Sequence, residues 1–246
     1  FFIRMTLRKT IVRILQATRL NRVAHKVYYN HVHGFEPATG STTEGIDRAF
    51  EAARSGGILG KGDYHEFGLF KGYSFWHAQK TAREMGADTM RFFGFDSFEG
   101  LPDVEGPDVT DRGDFYKGQY SCSLEQVRAS LDKAGVDWNR TFLTKGFFNE
   151  SLRPELRDEM QMGPVAVALI DCDLHSSTKD VLWFLEPLLQ AGSIVVFDDW
   201  NCFDADPGRG QRRARREFEE AFPRFGFEPL FEYGTWGAGF RVAVRG

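Results

Sequence analysis

A doubly wound α/β fold, with a mostly parallel sheet that ends in an antiparallel hairpin, is predicted by three observations. Short uninterrupted apolar runs recur from Gly62 onward. Stretches of helical spacing separate them, and the rhythm then breaks into two strand-like runs joined by Gly234-Thr235-Trp236-Gly237. Apolar runs without alternation fit strands covered on both faces, as in a parallel sheet with right-handed crossovers. In order, the predicted strands are Tyr64–Gly68, Met90–Phe95, Thr141–Thr144, Val165–Ile170 and Ser193–Phe197. Predicted helices cover about 73–86, 123–134, 150–160, 176–190 and 210–222, giving five β–α units. Phe225–Tyr233 and Gly237–Val244 then read as a hairpin on the sheet edge. Ligands of such sheets bind at the carboxyl ends of the strands.

The amino-terminal part differs in character. Residues 1–35 contain seven basic side chains and no acid, although the whole chain carries a net charge of −4. Leu7, Ile11, Ile14, Leu15, Val23, Ala24 and Val27 fall near helical spacing, so about 5–29 is expected to be an amphipathic helix with a basic face. Residues 34–41 read as a linker, and a short helix over about 43–55 follows. We therefore expect a helical extension over 1–60, acting as a lid or a dimer contact, and a main domain over 61–246. A membrane-surface contact is the alternative for the basic face.

Composition excludes several classes. With 42% hydrophobic residues and 24 Phe among 246 residues, the chain can bury a sizeable core. The longest apolar run has six residues, Val165 to Ile170, far short of the roughly 20 that a membrane helix needs. Three cysteines without a C-x-x-C pair suggest a reducing, cytoplasmic setting and no structural zinc. The charge balance carries no nucleic-acid signature. The loop from Ser97 to Ser121 is long and holds six acids, which points to a functional segment.

Two motifs carry chemistry. In HEFGLFKGYS, His65 to Ser74, a strand meets a helix through Gly68 and Gly72, where backbone turns tightly and a ligand can approach; plain turn formation is the competing reading. The spacing matches neither a dinucleotide fingerprint nor a triphosphate loop. Glu66 ends the first strand and Asp96 the second, where an acid accepts ribose hydroxyls, so the pair describes a nucleoside pocket. The second motif is a carboxylate cluster. Asp171 and Asp173 follow VAVALI, and Asp198 and Asp199 follow SIVVF. Four acids at one sheet edge repel unless protons or a cation neutralise them, and an oxygen-only set suits Mg²⁺. A haloacid-dehalogenase-like phosphohydrolase shares the D-x-D and D-D pattern. Its usual order differs, and it leaves Gly68, Gly72 and Asp96 unused. A metal-binding D-x-D of a glycosyltransferase is weakened by the same unused residues.

Taken together, HEFGLFKGYS, FGFDSFEGLP, KGFFNESL, ALIDCDLHSST, IVVFDDW and GQRRARREF resemble the macrocin O-methyltransferase family of class I S-adenosylmethionine-dependent enzymes over about 62–222. The resemblance implies a seven-stranded sheet, S-adenosylmethionine as methyl donor, and Mg²⁺ binding a sugar with neighbouring hydroxyls in a glycosylated natural product such as an antibiotic. Departures are Cys172 where the family usually has glycine, no tyrosine near His175, and Trp200 where Tyr is frequent. By resemblance and position, Glu66, Gly68, Gly72 and Ser74 surround the methionine part. Asp96 takes the ribose, and Ser97, Phe98, Gly146 and Phe147 lie beside the adenine. Asp171, Asp198 and Asp199 are the expected metal ligands, with Asp171 also the catalytic base. Asp173 is assigned to the methionine amino group, although the roles of Asp171 and Asp173 can be exchanged. A catechol-type acceptor is the alternative substrate, and a homo-oligomer is expected. Trp200, Phe203 and Trp236 suit stacking on an acceptor ring or core packing; His175 reads as a polar loop residue and Arg212 as part of a solvated helix face.

Overall fold

The computed structural model describes residues 34–35, 40–110 and 115–245. The basic helix expected over 5–29 lies outside them, as do Asp111 and Asp114 of the acidic loop. The elements are α1 (Ser41–Ser55), β1 (Asp63–Phe67), α2 (Tyr73–Glu84), β2 (Phe92–Asp96), α3 (Leu124–Ala134), β3 (Thr141–Lys145), α4 (Phe148–Ser151), α5 (Glu155–Glu159), β4 (Val165–Ile170), α6 (His175–Leu185), β5 (Ile194–Phe197), α7 (Gly210–Ala221), β6 (Phe225–Tyr233) and β7 (Gly237–Val244). They form a seven-stranded sheet in the order β3-β2-β1-β4-β5-β7-β6. β1 to β5 pair in parallel, whereas β7 pairs antiparallel with both β5 and β6.

The strand alternation builds two cores. Phe67, Phe95, Ile170 and Phe197 point to the face covered by α6 and α7, where Phe184 and Phe218 pack on them. Tyr64, Phe92, Val167 and Val196 point to the other face, under Phe50 of α1 and Phe75 of α2. The described part of the expected 1–60 extension is thus no appendage: Ile46, Ala49, Phe50 and Ala53 are fully buried in the core of the sheet. The single helix expected over 150–160 is instead α4 and α5. Pro154 separates them, because a proline disfavours helical geometry in the residue before it. The ladder shifts register between Pro229 and Phe231 of β6, an edge strand that tolerates a residue without an N–H donor.

The order of strand addition reverses between β1 and β4, with β2 and β3 added outward on one side and β5 on the other. The crevice beyond the carboxyl ends of these strands is where a ligand fits. No helix among the described residues is long and apolar enough to cross a membrane.

Candidate functional site

A cavity of about 710 Å³ opens at this crevice. Its floor depends on Gly68. The residue has φ of +94°, and a Cβ there would lie 1.7 Å from the carbonyl oxygen of Asp171, so only glycine lets the end of β1 pass against the end of β4. Of the residues expected to hold the cofactor, Gly68, Asp96, Ser97, Gly146, Phe147 and Asp173 line the cavity. Glu66, Gly72, Ser74 and Phe98 stand behind its wall. Glu66 is fully buried, accepting from the hydroxyls of Tyr64 at 2.5 Å and Ser74 at 2.6 Å. Burial pushes its carboxyl up to about 8 against those two hydrogen bonds. Gly72 supports the start of α2 with φ of +84°, and Phe98 is buried in the core beneath the loop that follows β2.

Asp96 shapes the cavity as well as lining it. Oδ2 accepts the backbone N–H groups of Leu69 and Phe70 at 2.7 and 3.1 Å, and Oδ1 accepts that of Phe98 at 2.6 Å. Three of its roughly four acceptor sites are therefore committed to backbone, which fixes the loop after β1 and leaves room for about one ligand hydroxyl. Burial raises its pKa, and these hydrogen bonds oppose the rise.

On the other side of β1 the carboxylates crowd together. Asp171, Asp198 and Asp199 each offer an oxygen within 4.8 Å of the others. Burial, then Asp198, Asp199 and further carboxylates, hold Asp171 well above the usual carboxylate range. Burial followed by Asp198 brings Asp199 up to about 7. The donor set is all oxygen and demands neutralisation, so it fits a hard divalent cation. Asp173 lines the cavity outside this triad, and its backbone N–H donates to Oδ2 of Asp199 at 2.9 Å. Its φ of +58° is an unusual conformation for a residue with a side chain.

The triad is braced by groups that the sequence did not single out. Gln211, 1% exposed at the start of α7, accepts the backbone N–H of Asp199 at 3.0 Å and donates to the carbonyl of Ile170 at 2.9 Å. The Tyr233 hydroxyl donates to Oδ1 of Asp198 at 2.6 Å, and Thr42 adds a longer 3.4 Å contact to Oδ2. Neither residue has a local sequence signal, since each meets Asp198 from an end of the chain.

The acidic loop after β2 walls the cavity through Leu101, Pro102, Asp103, Glu105 and Gln119. Asp108 anchors it by accepting the backbone N–H of His175 at 2.8 Å. Arg209 clasps the carbonyls of Pro107 and Val109. His175 is not a loop residue: it begins α6 and pairs with Glu217 at 3.1 Å. Trp200 is buried, with the guanidinium groups of Arg212 and Arg215 over its ring at 4.5 and 5.2 Å. Arg212 also donates to the carbonyl of Trp200 and to Asn201, so it is not part of a merely solvated face. Phe203 is buried as well, whereas Trp236 is 49% exposed and lines the cavity beside Asp198.

The family model described as Macrocin-O-methyltransferase (TylF) matches residues 43–222. The chain is 32% identical over 151 residues to 8-demethyl-8-(2,3-dimethoxy-alpha-L-rhamnosyl)-tetracenomycin-C 4'-O-methyltransferase of Streptomyces olivaceus, covering 58% of this chain and 56% of that one. It is 27% identical over 145 residues to demethyldecarbamoylnovobiocin O-methyltransferase of Streptomyces niveus, covering 56% and 53%. The chain thus spans little more than half the length of these relatives. Among solved structures, the O-methyltransferase NovP superposes with a TM-score of 0.65 at 23% identity, covering 82% of this chain and 79% of that one. CalS11, a calicheamicin methyltransferase, gives 0.57 at 22% identity, covering 79% and 77%. These two likenesses support the fold.

Proposed function

The chain belongs to the macrocin O-methyltransferase family, and on that premise we propose that it is a Mg²⁺-dependent enzyme that moves a methyl group from S-adenosylmethionine to a sugar hydroxyl of a glycosylated natural product. The observation that carries this reading is the meeting, in one cavity, of a glycine-bearing strand end and three carboxylates within 4.8 Å. A phosphohydrolase would have no use for the first half.

When bound, S-adenosylmethionine supplies an electrophilic methyl group, and Mg²⁺ supplies Lewis acidity toward an acceptor hydroxyl. The residues of the chain bind, aim and exclude water. Gly68, Asp96, Ser97, Gly146 and Phe147 form the cofactor side, and Asp171, Asp198 and Asp199 would hold the cation. A carboxylate that shares its lone pairs with a cation is a weaker proton acceptor than one beside it. Asp173, outside the triad, is therefore the better base for the acceptor O–H, with Asp171 the alternative. The loop after β2 forms one wall of the cavity through Leu101, Pro102, Asp103, Glu105 and Gln119, and exclusion of water favours displacement at a sulfonium.

A sugar is favoured over a catechol by the acceptor side of the cavity. Thr42 beside Asp198, its neighbour Ser41, and Ser176 and Asp180 add hydrogen-bonding groups to the lining, and Trp236 offers an aromatic face for the apolar side of a sugar ring. The Streptomyces olivaceus relative is named for a rhamnosyl substrate, which supports the same choice. Incubation with methyl-labelled S-adenosylmethionine and a panel of rhamnosyl glycosides and catechols tests the proposal. Label is expected on a glycoside, to be lost with EDTA and restored by Mg²⁺. Label on catechols alone moves the acceptor class, and transfer that survives exhaustive chelation contradicts the metal.

A further inference from the structure

We propose that Tyr233 is a positioning residue for the cation site: held in a slot between α1 and the β6–β7 hairpin, it aims Asp198 without itself touching the cation. The inference rests on the metal reading above and goes beyond it by naming what sets the affinity.

The slot is built for this ring. Tyr233 ends β6 and is 4% exposed. A Cβ at Gly45, in the middle of α1, would lie 2.5 Å from the ring, and one at Gly237, at the start of β7, would lie 2.1 Å from it. Glycine is a poor helix former, so its presence inside α1 is explained by this approach rather than by the helix. The same helix is tied to β6 next to Tyr233. Arg48 donates to the carbonyl of Glu232 at 2.7 Å and stacks over Phe231 at 4.6 Å.

The hydroxyl reaches Oδ1 of Asp198 at 2.6 Å, while Thr42, also on α1, lies 3.4 Å from Oδ2. With Oδ1 engaged from the hairpin and Oδ2 contacted from α1, rotation of the Asp198 carboxylate is restricted from both sides. Hydrogen bonds that orient a metal-binding carboxylate commonly change metal affinity about 10–100-fold when removed. Tyr233 and Thr42 approach Asp198 from segments 191 residues apart, so the site is complete only when α1 and the hairpin close on each other.

Mn²⁺ titration of the full chain, followed by calorimetry or electron paramagnetic resonance, tests this with the unaltered protein, Tyr233→Phe and Asp199→Asn. Tyr233→Phe, which keeps the ring, should weaken Mn²⁺ roughly tenfold or more and leave S-adenosylmethionine affinity within about twofold. A merely structural role would move both affinities or neither. Gly45→Ala, which keeps the hydroxyl but crowds the ring, should weaken Mn²⁺ in the same direction and serves if Tyr233→Phe does not fold. Unchanged Mn²⁺ affinity in these variants, beside loss in Asp199→Asn, overturns the inference alone. No Mn²⁺ binding by the unaltered chain contradicts the metal reading and this inference with it.

Discussion

Asp96 and Asp171 end the two strands that flank β1, and the chain treats them in opposite ways. Asp96 receives three backbone N–H groups, which offset the cost of its burial. Asp171 has no side-chain hydrogen bond among the described residues and faces Asp198 and Asp199, which add to that cost. One half of the crevice edge settles its charge internally. The other half leaves charge that only protons or a cation can neutralise. A shared sheet edge thus holds two kinds of site, and substitutions on either side of β1 should separate them.

The largest effect is expected in turnover. Asp198→Asn or Asp199→Asn should lower methyl transfer roughly 100- to 1000-fold, the scale for losing a group that stabilises developing charge. Asp173→Asn should lower kcat about 100-fold while Mn²⁺ still binds. If Asp173→Asn instead abolishes Mn²⁺ binding, Asp173 belongs to the ligand set and Asp171 becomes the base.

Thermal unfolding sharpens the contrast in the next measurement. Asp96→Asn removes an acceptor from a buried backbone cluster and should cost about 1–3 kcal/mol, a fall in Tm of roughly 3–10 °C for a chain of this size. Asp199→Asn removes a crowded charge, so the metal-free protein should melt several degrees higher at pH 8. A fall in both variants would mean that the triad is a structural network rather than a cation site.

The pH dependence of stability follows from the same carboxyls. Glu66 is raised to about 8 and Asp199 to about 7, both first by burial. In the unfolded chain these groups ionise near pH 4. Their protonated forms therefore stabilise the fold below that pH, and this contribution is lost as pH rises through about 7 and 8. Differential scanning calorimetry of metal-free protein should show Tm falling over that window. Mg²⁺ should raise Tm more at pH 8 than at pH 6, because it then displaces fewer protons.

A smaller effect is expected from His65. It is fully buried, stacked on Phe93 at 5.2 Å, and neither ring nitrogen has a hydrogen-bond partner among the described residues. Burial, offset by Asp63 and reinforced by Arg91, lowers its pKa to about 4. The unfolded chain therefore binds a proton first, and stability is lost as pH falls from about 6.5 through about 4. His65→Leu should flatten this acid limb in pH-dependent melting while leaving Mn²⁺ affinity unchanged.

Much of this was legible in the chain because local chemistry wrote it. Val165–Ile170 is an unbroken apolar run followed by Asp171, and the structure returns those bounds for β4. Asp198 and Asp199 follow SIVVF in the same way. Where burial or long-range contact decides, the pattern was silent. Glu66 reads as a strand-end acid facing a ligand, yet Tyr64, two residues earlier on the same face, and Ser74 draw it into the core. Tyr233 and Thr42 meet Asp198 only after the sheet has formed. Pro154 stands inside the stretch expected as one helix over about 150–160, and it divides that stretch into α4 and α5.

The most direct test of the divided site is a crossed titration. S-adenosylmethionine and Mn²⁺ are titrated separately into the unaltered protein, Asp96→Asn and Asp199→Asn by isothermal calorimetry. Asp96→Asn should weaken S-adenosylmethionine about tenfold or more and leave Mn²⁺ within about twofold, and Asp199→Asn should do the reverse. Loss of both ligands in either folded variant, or of neither in both, would contradict the division.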